Sequence, residues 1–415
     1  MTTLRAALST ALTLLLGAFS TASAQSVNAE SPQPIVDHVE EWTWLWDSDT
    51  DVGEFIVPST YYDRRHGRRY ERGGITLRFQ LRIPEDREAV RGLIVLVPGL
   101  DQHSGRYRHF VEHFRDEFIL ASCDTRHMGR SNDLMVDLEP GDPQPRQAGH
   151  GLRRIRKFFY IVYDLDEFIH EILPRRLAAE GFDFESLPLI LVGHSLGGLI
   201  TLDYVLGNDH NLPTENLAGV ILSSPALRPP REIPSLFQRL VINYNYDVNA
   251  SFGSNTEERM ILMVLYQQAR DIIMTPMFYL FSLTRMPVDT EWASQWVTDD
   301  PWEQIGFQTD QLTIRANPLN FIYQVQEHMI ELRGLMEEMS CPYLLFYSQR
   351  DRIVNPEGAI EFTARTAGNH PLNRVVPVAD TYSHELFRSR PAVRNRLFAT
   401  AEEWIDELLS QPRTP

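Results

Sequence analysis

The chain has 415 residues, of which 43% are hydrophobic and 10% aromatic, so it can bury a large core and does not belong to the disordered class of proteins. Its formal net charge of −17 at pH 7 disfavours nucleic acid and anionic membranes as partners held by long-range charge. We therefore expect a globular protein that binds no nucleic acid and makes at most transient contact with a membrane surface. The sequence leaves its oligomeric state open.

The N-terminus has the pattern of a secretory signal peptide. Arg5 precedes an apolar stretch from Ala6 to Phe19, and the Ala-Ser-Ala of residues 22–24 forms a small-residue cleavage site. The apolar stretch is too short to span a membrane comfortably. We therefore expect residues 1–24 to be removed by a cut after Ala24, which predicts a secreted or periplasmic protein.

Residues 25–74 form a polar N-terminal extension with three tryptophans at a spacing of two. Trp42, Trp44 and Trp46 share one face of an extended segment, and we expect their rings to cover an edge of the core. From Ile75 to Ile83, apolar and polar residues alternate. This alternation predicts an antiparallel strand at the edge of a sheet.

Beyond Gly92, continuous apolar runs alternate with helical periods. The runs cover residues 93–97, 118–122, 189–192, 220–222 and 344–347, and the helix candidates between them cover residues 105–116, 153–174 and 196–206. Such runs are typical of strands buried on both faces of a parallel sheet. Pro377 would remove a hydrogen bond from a central strand, so residues 375–379 are expected at the sheet edge. The alternation predicts an α/β fold with a mostly parallel, doubly wound sheet.

This alternation stops between Pro225 and Cys341. A structureless loop of that length is uncommon, so we expect residues 228–340 to form an inserted helical cap (lid) on a core of residues 75–227 and 341–415. Eight of the eleven methionines lie between Met260 and Met339. Because thioethers and aromatic rings line adaptable apolar grooves, we expect the cap to hold an acyl chain.

One serine lies on a predicted strand-to-helix turn. The segment Gly193-His194-Ser195-Leu196-Gly197 follows the apolar run of residues 189–192 and precedes a helix candidate. The two glycines allow the chain to turn sharply and to approach its neighbours closely. This is the pattern of a nucleophile elbow, and it predicts a reactive hydroxyl on Ser195.

A serine nucleophile needs a base and a third group that orients the base. Asp351 follows the strand at residues 344–347, at the carboxyl edge of the sheet, where catalytic groups gather. His384 follows the last predicted strand, which gives the chain order Ser, acid, His of α/β-hydrolases. Asp380 and Glu385 are closer to His384 in sequence but lie on the wrong loop. We therefore predict a triad of Ser195, Asp351 and His384.

The oxyanion of an acyl-transfer intermediate needs backbone N–H donors. Leu196 N–H, at the start of a helix, is expected to supply one. Leu100 N–H, in the loop after the strand at residues 93–97, is expected to supply the other.

The same loop carries a family resemblance. His103-Ser104-Gly105-Arg106-Tyr107 resembles the Glu-His-Ser-Gly-Arg-Tyr signature of monoacylglycerol lipases and bacterial lysophospholipases, an α/β-hydrolase branch that includes proteins labelled serine aminopeptidases. Residues 124–131 resemble the Asp-x-Arg-Gly-x-Gly-x-Ser turn of that branch, and the similarity spans about residues 75–410. Three departures are Pro98-Gly99 for His-Gly, Asp101-Gln102 for Gly-Glu, and His127 for a glycine. They leave the backbone donors intact and alter the pocket.

The resemblance implies an α/β-hydrolase that cleaves lipid esters, either lysophospholipid or monoacylglycerol, through an acyl-enzyme. We expect substrate contacts from His103, Trp296 and Met263, and no metal or other cofactor, because no metal-binding or phosphate-binding motif occurs.

The alternatives are a serine aminopeptidase, an acyltransferase, or a non-catalytic ligand-binding protein on the same scaffold. A peptidase would need an acidic anchor for the substrate amine, such as Asp299, Asp300 or Glu303.

Overall fold

The structure is a computed structural model. It describes residues 44–57, 60–63, 68–71, 75–131, 158–206, 214–230, 287–289, 291–310, 312–314 and 316–411. The predicted signal peptide, Trp42 and Met263 lie outside the described residues, as does much of the N-terminal extension. Within these ranges, no helix is both long enough and apolar enough to cross a membrane.

Twelve strands are present in the described residues. In chain order they are β1 (Asp51–Val57), β2 (Thr60–Asp63), β3 (Arg68–Glu71), β4 (Ile75–Arg82), β5 (Gly92–Val97), β6 (Phe118–Cys123), β7 (Leu189–His194), β8 (Leu217–Ser223), β9 (Pro287–Asp289), β10 (Ala316–Pro318), β11 (Tyr343–Ser348) and β12 (Arg374–Val378). Eight of them form one sheet in the order β1-β4-β6-β5-β7-β8-β11-β12. The β1–β4 and β4–β6 pairs are antiparallel, and the other pairs in this sheet are parallel.

Helices cover both faces of this sheet. In chain order the α-helices are α1 (Arg108–Phe114), α2 (Phe159–Glu167), α3 (Leu173–Ala179), α4 (Leu196–Leu206), α5 (Pro301–Thr309), α6 (Leu319–Leu335), α7 (Glu357–Thr366) and α8 (Pro391–Ser410). On β5, Leu93 and Val95 join one apolar cluster, while Ile94 and Leu96 join another on the opposite face. This alternation follows from the two-residue period of a strand. The predicted α/β-hydrolase fold is confirmed.

The prediction for Ile75–Arg82 needs a correction. The strand is antiparallel as expected, but it is not at the sheet edge, because β1 pairs along its whole length. In β1 only Phe55 and Val57 face the core, whereas Ile56 is 74% exposed. An apolar residue on the outer face hides the alternation, so the sequence pattern of this strand is weak.

The segment that precedes β1 contacts β4 near the C-terminal end of that strand. The backbone N–H of Trp46 donates to Gln80 Oε1 at 3.2 Å, and Gln80 Nε2 donates to the carbonyl oxygen of Trp44 at 2.7 Å. The Trp46 ring is buried, and its Nε1 donates to the carbonyl oxygen of Ser104 at 2.8 Å. For Trp46, the expected role at the edge of the core is confirmed.

The chain between β8 and β11, which we call the insertion, contains the region predicted as a cap. Its described part includes α5, α6 and an antiparallel two-stranded ribbon of β9 and β10. The ribbon is an addition to the mostly helical cap that the sequence pattern predicts. Helix α6 packs against the core, with Phe321, Val325 and Met329 in the same apolar cluster as Leu199 of α4.

Candidate active site

Ser195 lies between the end of β7 and the start of α4, in the left-handed region of backbone conformation, with φ of 53°. Its N–H donates to the carbonyl oxygen of Ser223 on the neighbouring strand β8 at 3.0 Å. Its own carbonyl oxygen accepts hydrogen bonds from Gly198, Leu199 and Ala226 N–H. A non-glycine residue in this conformation is strained, and the surrounding backbone hydrogen bonds hold it there.

The glycines around Ser195 are required by close backbone approaches. A Cβ atom at Gly197 would overlap the carbonyl oxygen of Val97 at the end of β5. A Cβ atom at Gly193 would lie 2.6 Å from the carbonyl oxygen of Gly197. The turn therefore has the tight geometry that the pattern at residues 193–197 predicts for a nucleophile elbow.

The structure brings His384 and Asp351 into contact. His384 Nδ1 lies 2.7 Å from Asp351 Oδ2, and both side chains are buried. The other carboxylate oxygen of Asp351 accepts hydrogen bonds from the backbone N–H groups of Ile353 at 2.8 Å and Val354 at 3.0 Å. These contacts fix the carboxylate, and a proton on Nδ1 of the imidazole leaves Nε2 as the basic nitrogen.

A second histidine lies next to this pair but is held neutral. The rings of His194 and His384 have centroids 4.8 Å apart, and His194 Nδ1 lies 3.0 Å from the carbonyl oxygen of Ser223. Burial, reinforced by the nearby His384, lowers the pKa of His194 well below its usual 6.5. His194 is therefore uncharged at neutral pH and does not add a positive charge beside His384.

Ser195 and His384 line one cavity of about 170 Å³, together with Leu100 and Leu196. Leu196 is the first residue of α4, where no preceding helical turn supplies an acceptor for its N–H. Most of the remaining wall is apolar and includes Ala226, Val297, Phe307, Ile314, Ile322, Val325, Met329, Ile353 and Val354. In the described part of the chain, no three His, Cys, Asp or Glu side chains are grouped as a metal site requires.

The loop that carries Leu100 is braced by Gln102, one of the departures from the family signature. Its Oε1 accepts hydrogen bonds from Gly99 N–H and from the Tyr107 hydroxyl, each at 3.0 Å. Its Nε2 donates to Glu385 Oε1 at 2.7 Å. Glu385 directly follows His384, so Gln102 connects the loop of the predicted oxyanion donor with the loop of the predicted base.

A group of charges, buried except for the half-buried His109, extends from Glu385 to the insertion. Arg106 donates to Glu385 at 2.6 Å and to Asp310 at 3.3 Å, and His103 Nε2 lies 2.8 Å from the same Asp310 oxygen. Glu303 pairs with Arg388 and lies 2.6 Å from His109 Nε2. We call these seven side chains the charge cluster: His103, Arg106, His109, Glu303, Asp310, Glu385 and Arg388. Sequence reasoning singled out His103, Arg106, Glu303 and Glu385 for other reasons, but it did not predict that they form a cluster.

The charge cluster shifts the pKa values of its members. Burial alone would raise the pKa of Asp310, but His103 and Arg106 outweigh it and hold this pKa well below the usual range. Burial would likewise raise the pKa of Glu303, but His109 and Arg388 lower it. Burial and repulsion from Arg106 lower the pKa of Arg388 to about 10. The carboxylates of Asp310 and Glu303 are therefore ionised at neutral pH.

Two residues predicted to contact substrate lie elsewhere. His103 is buried in the charge cluster and is not part of the described cavity wall. The Trp296 ring stacks under the Arg352 guanidinium at 4.0 Å and packs edge-on against Tyr382, while Trp292 lines the cavity instead. Trp296 still contributes through its backbone, because its carbonyl oxygen accepts the His384 N–H at 3.2 Å.

The three acidic candidates for an amine anchor all have protein partners. Asp299 pairs with the Arg390 guanidinium at 2.7 Å and accepts a hydrogen bond from the Ser383 hydroxyl at 2.9 Å. Asp300 caps the N-terminus of α5 through the N–H of Trp302 at 3.0 Å. Glu303 belongs to the charge cluster. None of the three is in the described cavity wall.

The family model described as Serine aminopeptidase, S33 matches residues 88–390, which cover all the site residues described above. The chain belongs to this family. The membership confirms the resemblance that was inferred from the signature loop and the elbow.

The chain is also similar to individual relatives. It is 30% identical over 135 residues to phospholipase YtpA of Bacillus subtilis, covering 32% of this chain and 40% of the relative. It is 29% identical over 157 residues to a monoacylglycerol lipase of Mycolicibacterium smegmatis, covering 37% and 44%. These two matches span less than half the length of either relative. The match to human monoglyceride lipase is 21% identical and covers 76% of this chain and 83% of the relative.

Solved structures share the fold. The monoglyceride lipase of Saccharomyces cerevisiae, solved as a soluble variant with a substrate analogue, superposes with a TM-score of 0.57 at 17% identity and covers 86% of this chain and 96% of its own. The monoacylglycerol lipase of Paleococcus ferrophilus gives a TM-score of 0.51 at 20% identity and covers 80% and 98%. At these identities the likeness establishes the fold.

Proposed function

We propose that this protein is a serine hydrolase that cleaves carboxylic esters of lipids, of the lysophospholipase or monoacylglycerol lipase type. The observation that carries the proposal is the His384–Asp351 hydrogen bond of 2.7 Å at the wall of an apolar cavity that Ser195 also lines. The names of the relatives, which include a phospholipase and monoacylglycerol lipases, support the substrate class.

The proposed chemistry proceeds through an acyl-enzyme. His384 Nε2 takes the proton of the Ser195 hydroxyl while Oγ attacks the ester carbonyl, and the oxyanion forms against Leu100 and Leu196 N–H. Collapse of this intermediate breaks the ester bond, and His384 returns the proton to the leaving alcohol. Water then attacks the acyl-enzyme with the same proton transfers and releases the carboxylic acid.

The apolar wall favours an acyl chain as the occupant of the cavity. An aminopeptidase needs a free carboxylate near the substrate amine, and Asp299, Asp300 and Glu303 are each engaged elsewhere. An acyltransferase would use the same acyl-enzyme with another acceptor than water. A non-catalytic ligand-binding protein would keep the cavity without turnover.

Active-site labelling with a fluorophosphonate tests the nucleophile. We expect wild type to be labelled and Ser195→Ala not to be labelled, with both variants showing the same thermal unfolding temperature. Equal labelling of both variants, or no labelling of wild type, would rule out the proposed role of Ser195.

A substrate panel tests the reaction class. We expect turnover of lysophosphatidylcholine or monoacylglycerol to exceed turnover of aminoacyl anilides. Faster turnover of the anilides would favour the aminopeptidase, and release of acyl product only in the presence of an added alcohol would favour the acyltransferase.

We also propose that residues 1–24 are a signal peptide and that the protein is secreted or periplasmic. The Ala-Ser-Ala site before Gln25 supports this. N-terminal sequencing of protein recovered from the medium or periplasm is expected to begin at Gln25. An intact Met1 in the exported protein would contradict it.

A further inference from the structure

Helix α6 presents one stripe of side chains to the cavity. Ile322, Val325, Gln326 and Met329 all line it, at the spacing i, i+3, i+4 and i+7 that places residues on one face of a helix. Three of the four are apolar, as the acyl-binding role of the cavity requires. Gln326 is the polar exception.

Packing does not explain this glutamine. Gln326 is only 4% exposed, and its Oε1 has no hydrogen-bond partner among the residues that the structure describes. A buried amide oxygen without a partner costs free energy, whereas Leu or Met at the same place in the stripe would not. The side chain therefore lowers the stability of the ligand-free protein, and a ligand that supplies the missing partner would remove this cost.

Three other polar side chains in the same wall, Asp101, Gln102 and Glu385, are paired within the protein. Asp101 accepts a hydrogen bond from Asn317 Nδ2 at 2.9 Å. Gln102 and Glu385 are bonded to each other at 2.7 Å, and both have further partners. Gln326 therefore differs from these polar neighbours in its hydrogen bonding.

We propose that Gln326 is a specificity-determining residue that hydrogen-bonds a hydroxyl group of the ester substrate. The proposal rests on the ester hydrolase function proposed above and specifies its substrate class. A hydroxyl both donates and accepts, so it satisfies the amide whichever of the two amide atoms faces the ligand. The preferred substrate is then a hydroxylated ester, in which an apolar chain fills the cavity and one hydroxyl meets α6.

The hydroxyl has two chemical sources, the alcohol part of the ester or its acyl chain. One pair of substrates tests the alcohol part, namely monodecanoylglycerol and propyl decanoate. A second pair tests the acyl part, namely methyl ω-hydroxydecanoate and methyl decanoate. Within each pair the esters differ in hydroxyl content, so the ratio of their kcat/KM values reports recognition of the hydroxyl.

The test compares wild type with Gln326→Met, which keeps the side-chain length and removes the polar atoms. We expect kcat/KM for the hydroxylated ester of at least one pair to fall about ten-fold, the size of one hydrogen bond. The hydroxyl-free ester of that pair should react as well as before or faster. Gln324→Met is the matched control, because Gln324 is on the same helix, is outside the described cavity wall and donates to Asn320 O at 3.2 Å.

The pair that loses selectivity identifies the source of the hydroxyl. Two results overturn the inference while leaving the ester hydrolase function intact. In the first, kcat/KM falls equally for both esters of each pair. In the second, Gln326→Met keeps the wild-type selectivity, as Gln324→Met is expected to do. Should Gln326→Met fail to fold, equal kcat/KM values of wild type within both pairs would still overturn the inference. Wild type that hydrolyses none of the four esters overturns the proposed function, and the inference with it.

Discussion

The two sides of the cavity are held in place by different forces. On the core side, Ser195 is fixed by backbone hydrogen bonds, one of them to strand β8, and Asp351 by two backbone N–H donors. On the insertion side, Asp310 and Glu303 attach the α5 region to the core through the charge cluster. A main-chain hydrogen bond also connects the two sides, because Glu385 N–H donates to Val297 O at 2.8 Å.

Because of this difference, we expect the catalytic residues and the shape of the cavity to depend on different interactions. The hydrogen bonds that hold Ser195 join backbone groups and do not depend on ionisation, so they persist as long as the fold does. The contacts of the charge cluster need both partners of each buried pair and the right protonation state. We therefore expect the insertion side to respond to single charge changes and to pH, and the core side to respond to backbone conformation.

The largest expected effect comes from breaking the charge cluster at its centre. Arg106 is buried between Glu385 and Asp310, so Arg106→Met leaves two buried carboxylates without this partner. We expect the free energy of unfolding to fall by about 3–5 kcal/mol. Chemical denaturation measures this.

The matched control for that prediction is Arg396→Met. Arg396 forms an exposed pair with Asp380 at 2.8 Å, and such pairs contribute about 0–1 kcal/mol. Similar losses for the two variants would show that the charge cluster does not hold the insertion side more strongly than a surface pair does.

A smaller effect is expected from pH. The folded-state pKa of Asp310 lies below its usual 3.8, so its charge stabilises the fold above about pH 4, and this contribution is lost as pH falls below that value. Asp310→Asn is therefore expected to be less stable than wild type near pH 7. The difference in unfolding free energy should shrink below pH 4, by at most about 1.4 kcal/mol per pH unit for one group.

Thermal or chemical unfolding at several pH values between 7 and 3 measures that difference. Asp116→Asn serves as the control, because the Asp116 side chain is 89% exposed. A difference between wild type and Asp310→Asn that stays constant with pH would contradict the role assigned to the Asp310 carboxylate.

The sequence could predict the core side of the cavity better than the insertion side. The strands, the elbow at Ser195 and the candidates Asp351 and His384 have local patterns, namely apolar runs, glycine spacing and position after a strand. The Arg106–Asp310 pair joins residues 204 positions apart, and neither residue belongs to a periodic pattern that indicates the other. The resemblance marked Gln102 as a departure from the family, but only the structure shows that Glu385 accepts its hydrogen bond.

The smallest expected effect tests the backbone strain on the core side. Ser195 has φ of 53°, a conformation that glycine adopts without steric cost and other residues adopt at about 1–3 kcal/mol. Glycine loses about 0.5–1 kcal/mol of this gain through its more flexible unfolded chain. Ser195→Gly is thus expected to raise the free energy of unfolding by about 1 kcal/mol in chemical denaturation, while Ser195→Ala, which keeps the Cβ atom, stays near wild type. A Ser195→Gly variant that is less stable than Ser195→Ala by about 0.5–1 kcal/mol would mean that the elbow stores no strain, because only the entropic cost of glycine would then remain.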